Sequence, residues 1–163
     1  MDFTLDVLIL KKDICSVGLN KQLITWGDEE FSQEPPRYTN DSKLFFERSG
    51  NLEYYKEYFN KFIPDNIAID EFEALRLIGN NMFELERLIN YKQEPIKNLL
   101  NNEVIVFLSR LSKLDSFVIF LIRDEEYIDG QYRLQNDSEL VNIIYDCISY
   151  SISRGLVITK KNI

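Results

Sequence analysis

Acidic side chains concentrate between Asp115 and Glu139, the part of the chain richest in residues that could do chemistry. Seven carboxylates and only two bases lie there, a local balance of −5 in a chain whose net charge is −8. Carboxylates can bind hard cations, transfer protons, or contact the Lys and Arg side chains of a basic partner. Two tyrosines accompany them, and tyrosine is enriched at protein interfaces. We predict a partner-binding surface made of these residues: Asp124, Glu125, Glu126, Tyr127, Asp129 and Tyr132.

A second acidic group precedes Arg37. Pro35 and Pro36 follow it and are incompatible with a helix at that point. We predict a loop that either stays free or is ordered by a partner, and we treat its acids as the secondary candidate site: Asp28, Glu29, Glu30 and Glu34.

The rival interpretation of these acids is an enzyme that uses carboxylates, with or without a bound metal ion. Asp124 and Glu126 would share one face of a strand, while a further acidic group crowds a predicted helix start at residues 70–73. The chain has no histidine, which removes Ser–His and Cys–His nucleophile pairs. Its six glycines form no phosphate-binding loop. We therefore predict no catalytic residue, no metal ligand and no cofactor.

Composition narrows the class of partner. A pI near 4.7 argues against direct binding to nucleic acid, which needs clustered Lys and Arg. No run approaches the roughly 20 apolar residues of a membrane span, and no signal-peptide pattern is visible. The two cysteines fit no metal-binding spacing, and we expect both Cys15 and Cys147 to be small core residues in a reducing compartment. These features predict a cytoplasmic protein with a basic protein partner.

Apolar patterns indicate which elements must position the acids. Residues 117–122 form an unbroken apolar run, which is typical of a strand covered on both faces at the centre of a sheet. Asp129-Gly130 is a two-residue hairpin signal, so residues 131–134 are predicted to return beside that strand. Residues 3–10 and 156–159 are further predicted strands.

Helical periodicity marks the remaining elements. The segments Phe72–Ile78 and Phe83–Ile89 are similar at a spacing of 11 residues, so we predict two related helices over 71–78 and 82–91, with Gly79 ending the first. A strand remains possible over the β-favouring residues 104–107. The other predicted helices cover residues 51–64, 95–100, 103–114 and a final segment that is capped by Asn136 with Glu139 and ended by Gly155.

Together these elements predict one α+β domain over residues 1–163, with a mixed or antiparallel sheet packed against several helices. In general character the chain resembles bacterial immunity proteins, which are small, acidic, cytosolic and free of catalytic motifs. That resemblance implies a protein that binds and blocks a cognate toxin, often a nuclease. A third alternative is an adaptor subunit of a larger assembly that makes its contacts through helices over 72–89. The oligomeric state is left open.

Overall fold

A mixed eight-stranded sheet organises the computed structural model of the chain. The structure describes residues 3–22, 37–40, 44–48, 68–114, 116–123, 131–133, 139–152 and 154–159. In chain order the strands are β1 (Phe3–Leu10), β2 (Leu19–Gln22), β3 (Arg37–Asn40), β4 (Leu44–Arg48), β5 (Phe72–Ile78), β6 (Ser116–Arg123), β7 (Gln131–Arg133) and β8 (Arg154–Thr159). Their order across the sheet is β2-β3-β4-β5-β1-β6-β8-β7.

Four α-helices lie in the described residues: α1 (Asn81–Asn90), α2 (Ile96–Leu99), α3 (Glu103–Leu111) and α4 (Glu139–Ser149). Short 3-10 turns cover Lys11–Asp13, Cys15–Val17 and Ile69–Glu71. The predicted α+β class is therefore confirmed. The predicted helix over 51–64 lies outside the described residues.

Neighbouring strands pair antiparallel except at one edge of the sheet. There β7 runs parallel to β8, and α4 lies between them in the chain, so these three elements form a crossover unit. Parallel neighbours need such a crossover because the end of the first strand and the start of the second lie at opposite ends of the sheet.

The apolar run at 117–122 lies inside the sheet, as predicted. It forms most of β6, which pairs with β1 on one side and β8 on the other. Phe117 pairs with Ile9 and Arg123 with Phe3, so β6 ends where β1 begins. We call the end of the sheet where β1 begins and β6 ends the Phe3 end. The opposite end, where β1 finishes at Leu10, is the Leu10 end.

The core forms between the sheet and the helices. Alternate residues of β1 belong to the same buried cluster as the apolar faces of α1, α3 and α4. The rings of Phe46 in β4 and Phe107 in α3 lie 4.8 Å apart within it. Leu8 and Leu10, on the other face of β1, are buried as well, so this strand is covered on both faces. The members of the cluster on β1 are Phe3, Leu5, Val7 and Ile9.

The predicted helix over 71–78 is wrong, because this segment is strand β5 between β4 and β1. It is buried on both faces, and its two charged side chains are paired with neighbouring strands. Glu73 forms an ion pair with Arg48 of β4 at 2.5 Å, and Arg76 forms one with Asp6 of β1 at 2.8 Å. Gly79 ends this strand, with a φ of +91° that glycine adopts readily, and does not cap a helix. The second predicted helix is confirmed as α1.

The predicted hairpin at Asp129-Gly130 is also wrong in its pairing. Strand β7 is present, but β8 lies between it and β6. Gly155 belongs to β8, while the final helix ends at Ser149. A crossover through α4 follows β7, and the chain then returns as β8. Strand β8 therefore pairs with β6 in the position that the turn signal predicted for β7.

Helix capping and cysteine burial differ in part from the predictions. The segment 103–114 is helical up to Leu111, and its cap is the Asn102 side chain, which accepts from the Val104 and Ile105 amides. The strand alternative for residues 104–107 is therefore wrong. Cys147 is buried as expected, but Cys15 is exposed in its 3-10 turn.

Candidate functional site

The sequence-predicted acidic surface falls mostly outside the part of the chain that the structure describes. Tyr132 is the exception, and it is the middle residue of β7, where it pairs with Leu156. The predicted residues outside the described ranges are Asp124, Glu125, Glu126, Tyr127 and Asp129, together with the secondary loop acids Asp28, Glu29, Glu30 and Glu34.

The described residues on either side of segment 124–130 lie at the same end of the sheet. Arg123 pairs with Phe3, the first residue of β1. Gln131 pairs with Gly155, the second residue of β8. The first residue of β8, Arg154, pairs with Leu121 near the end of β6. Both anchor points of the acidic segment are therefore at the Phe3 end.

Two exposed aromatic side chains belong to helix ends that face this same side. Phe83 lies in the first turn of α1, just after β5 ends, and is 55% exposed. Tyr150 follows α4, four residues before β8 begins at Arg154, and is 73% exposed. Aromatic residues are enriched at protein-binding surfaces, so these exposed side chains are candidates for contact with a partner.

A cavity of about 370 Å³ opens beside Phe83, where β1, β5 and α1 meet. Its inner walls come from buried side chains, and its rim is formed by exposed residues at the start of α1. The buried members are Phe3, Leu77, Met82 and Glu86. The exposed rim members are Gly79, Asn80 and Phe83. The volume lies within the range of pockets that hold small ligands, roughly 300–1,000 Å³.

Glu86 supplies a carboxylate to this cavity from the buried side of α1. Its exposure is 5%, and its Oε1 accepts a hydrogen bond from the Phe3 amide at 3.2 Å. This contact joins α1 to the start of β1 and fixes the carboxylate at the cavity wall.

Arg76 is the second charged residue of the cavity, and its guanidinium is held by Asp6. Nε and Nη2 donate to the two carboxylate oxygens of Asp6 at 2.8 and 2.9 Å. Burial raises the pKa of Asp6 above its ordinary value, with a smaller contribution from Glu47, and the hydrogen bond and charge of Arg76 act in the opposite direction. Two-point pairing of this kind fixes the orientation of the guanidinium.

Among the acids considered for an enzyme, those at residues 70–73 do not lie at a helix start. Asp70 and Glu71 are exposed in a 3-10 turn at the Leu10 end, whereas Glu73 is buried in β5 and paired with Arg48. No group of three or more side chains suited to a metal ion occurs among the described residues. The longest helix in the described part of the chain has 11 residues, and no helix there is long and apolar enough to cross a membrane.

Comparison of the chain with protein-family models, curated proteins and solved structures finds no match to any of them. Functional arguments therefore start from the chain's own charges and geometry.

The cavity was not predicted from the sequence. Glu86 lies in a segment where Glu84 and Arg87 make an ordinary surface pair at 3.2 Å, so its sequence context resembles a solvated helix face. One signal was available in the helical pattern, because Glu86 falls between the buried residues Leu85 and Ile89. A charge flanked by core positions is uncommon unless it has a partner.

Proposed function

We propose that this chain is a binding protein that neutralises a basic protein partner, in the manner of an immunity protein that blocks a cognate toxin. The observation that supports it is the shared position, at the Phe3 end, of the residues that flank the acidic segment and of an exposed aromatic side chain. Both anchor points of segment 124–130 lie there, and so does the exposed ring of Phe83. The segment carries four carboxylates in seven residues and no base.

The mechanism is occlusion of a basic cleft. A nuclease grips phosphate groups with Lys and Arg, and a cluster of carboxylates on a protein surface offers those side chains an alternative set of acceptors. The acidic surface steers the partner during diffusion, and the aromatic side chains contribute contact area after docking. The acids Asp124, Glu125, Glu126 and Asp129 carry the steering, and Tyr127 and Tyr132 belong to the contact surface.

The proposal places this encounter in the cytoplasm. The two cysteines support that location, because both are free thiols and Cys15 is exposed. Free thiols persist in reducing compartments, whereas secreted proteins of this size commonly form disulfides.

The test captures a partner from the native host with the immobilised protein. The double variant Asp124→Lys/Glu126→Lys is compared with Asp13→Lys/Asp70→Lys, which makes the same change in net charge at the Leu10 end of the sheet. We expect wild type and the Asp13/Asp70 variant to retain a basic protein that high salt releases. The Asp124/Glu126 variant should fail to retain it.

Toxicity decides between immunity and simple binding. The captured protein, expressed alone, should arrest growth, and co-expression with this chain should restore it. An acidic partner, or equal retention by the two double variants, would contradict the proposed acidic surface. A basic partner whose expression leaves growth unchanged would contradict the immunity role.

A further inference from the structure

We propose that residues 71–90 have a second conformation, one continuous helix, which the chain adopts when β5 is not paired with β1 and β4. In the folded protein the same residues form strand β5 and helix α1, and Gly79 lies between the two elements. Pairing with the neighbouring strands then switches residues 72–78 from helix to strand as the sheet assembles.

The apolar residues of β5 and α1 form one stripe at helical spacing. Successive members are three or four residues apart, and this spacing continues across Gly79 without a break. The members are Phe72, Leu75, Ile78, Met82, Leu85 and Ile89. Such spacing is typical of one face of an amphipathic helix. The sequence therefore has the pattern of a single helix, although the folded protein uses it as a strand and a helix.

Local propensity in residues 72–78 also favours a helix. Five of these seven residues are good helix formers: Glu73, Ala74, Leu75, Arg76 and Leu77. Asp70 precedes Glu73 by three residues, which is the spacing of a capping box at a helix start. Glu73 and Arg76 have the same spacing as Glu84 and Arg87, which form an ion pair within α1. A helix here would satisfy its charged side chains locally.

The length of the segment decides whether such a helix can form without tertiary contacts. Isolated helices shorter than about 12–15 residues are marginal in water, so residues 72–78 alone would not form one. Residues 71–90 make up 20 residues, which exceeds that limit. Gly79 weakens the helix at one interior position. We therefore expect a partly populated helix in the unpaired chain.

The strand conformation depends on partners from two other strands. Arg48 of β4 forms an ion pair with Glu73, and Asp6 of β1 accepts two hydrogen bonds from Arg76. Leu75 is fully buried in the core cluster. These contacts exist only when β5 lies between β4 and β1. Because β5 joins the strands β2-β3-β4 to β1 and the rest of the sheet, its conversion completes the sheet.

Gly79 is the residue whose backbone separates the two conformations. Its φ of +91° in the folded protein is readily adopted by glycine and disfavoured for alanine, whereas a helix needs a φ of about −63°. A Cβ at this position would lie 3.7 Å from Asn81 Oδ1, an ordinary van der Waals contact, so alanine acts here through φ. Gly79→Ala therefore favours the continuous helix. Asparagine tolerates a positive φ and is a poor helix former, so Gly79→Asn is the matched control.

The test observes the unfolded full-length protein. Isotope-labelled protein is held in urea just above its unfolding midpoint, and α-carbon chemical shifts, which move in opposite directions in helices and strands, are measured for each residue. We expect helical shifts over residues 72–78 that continue through Gly79 into residues 81–90. Gly79→Ala should raise the population of the continuous helix about fivefold, and Gly79→Asn less than about twofold.

A second variant removes the strand partners and leaves residues 71–90 unchanged. Asp6→Arg/Arg48→Glu places a like charge opposite Arg76 and another opposite Glu73. We expect this protein, without urea, to lose the native sheet and to keep helical shifts over residues 72–78. The control Lys11→Glu/Asp13→Arg makes a comparable exchange of charges in a 3-10 turn and should keep the native shifts.

Three results would overturn the inference: random-coil or strand shifts over residues 72–78 in urea, an equal response of Gly79→Ala and Gly79→Asn, or strand shifts in the unfolded Asp6→Arg/Arg48→Glu protein. If that double variant aggregates or stays folded, the urea measurements with the two Gly79 variants decide.

Discussion

Replacing Arg76 with methionine removes a charged partner of Asp6 and keeps an unbranched side chain. Asp6 has 0% exposure, and Arg76 donates to both of its carboxylate oxygens at 2.8 and 2.9 Å. Asp6 also lies in β1, between β5 and β6, so it cannot reach solvent by a local rearrangement. The variant therefore loses the donor pair that offsets the desolvation of a buried carboxylate.

The expected loss of stability is about 3 kcal/mol at neutral pH. Removing one partner of a buried ion pair costs about 3–5 kcal/mol. We take the lower value because the Arg76 side chain is 35% exposed, so water on that side screens the pair. With a urea m-value of about 2 kcal/mol/M, the unfolding midpoint should fall by about 1.5 M.

The loss should shrink in acid, because Asp6 can give up its charge by binding a proton. Burial already raises the pKa of Asp6, and Arg76 opposes that rise. A carboxyl whose pKa is raised in the folded state stabilises that state when it is protonated. This contribution is complete below the pKa of the group in the unfolded chain, and it is lost as the pH rises through its pKa in the folded protein. Without Arg76 the folded pKa rises further, so this contribution persists to higher pH in the variant than in wild type.

Urea unfolding at about pH 7 and about pH 5, followed by circular dichroism, measures both effects. The control is Arg87→Met, which removes a partner of Glu84 at the surface, where both side chains of the pair are at least 41% exposed, and should cost under about 1 kcal/mol. A loss for Arg76→Met no larger than for Arg87→Met, or a loss that is the same at both pH values, would refute the assignment of Asp6 and Arg76 as a buried pair.

Three further predictions concern stability and are measured by the same unfolding experiment. Phe46→Ala should lower the free energy of unfolding by about 3–5 kcal/mol because it empties a fully buried site against Phe107. Phe45→Ala, one residue away and 36% exposed, should lower it far less. Equal losses would contradict the orientation of β4. Asn102→Ala should lower the free energy of unfolding by about 1 kcal/mol, because the side chain that caps α3 is lost. The control is Asn101→Ala at the exposed neighbouring residue, and an equal loss in that variant would rule out the cap. Ser151→Gly should stabilise by about 0.5–1 kcal/mol because Ser151 has a φ of +55°, while Ser151→Ala should give no gain.

The segments Phe72–Ile78 and Phe83–Ile89 show how far the sequence predicts this fold. They are nearly identical in pattern, yet the first is strand β5 and the second belongs to helix α1. In the helix, Glu84 and Arg87 pair with each other three residues apart, so the information needed is local. In the strand, the partners of Glu73 and Arg76 are Arg48 and Asp6, which belong to other strands. Tertiary pairing of this kind overrides local propensity and is invisible in a single segment.

The apolar run of β6 was predictable for the opposite reason. A strand without polar alternation is covered on both faces whatever its neighbours are, so its place inside the sheet follows from composition alone. Which strand lies beside it does not follow. The turn signal at Asp129-Gly130 placed residues 131–134 there, whereas the crossover through α4 gives that place to β8.

The two parts of the proposed interface make separable kinetic predictions once a partner is in hand. Charges in the acidic segment act at long range, so reversing Asp124 and Glu126 should lower the association rate and reduce its dependence on salt. Phe83 is 55% exposed and uncharged, so it contributes contact area only after docking, and Phe83→Ala should mainly raise the dissociation rate. If both changes altered only the association rate, the exposed ring of Phe83 would have no role in holding the complex together.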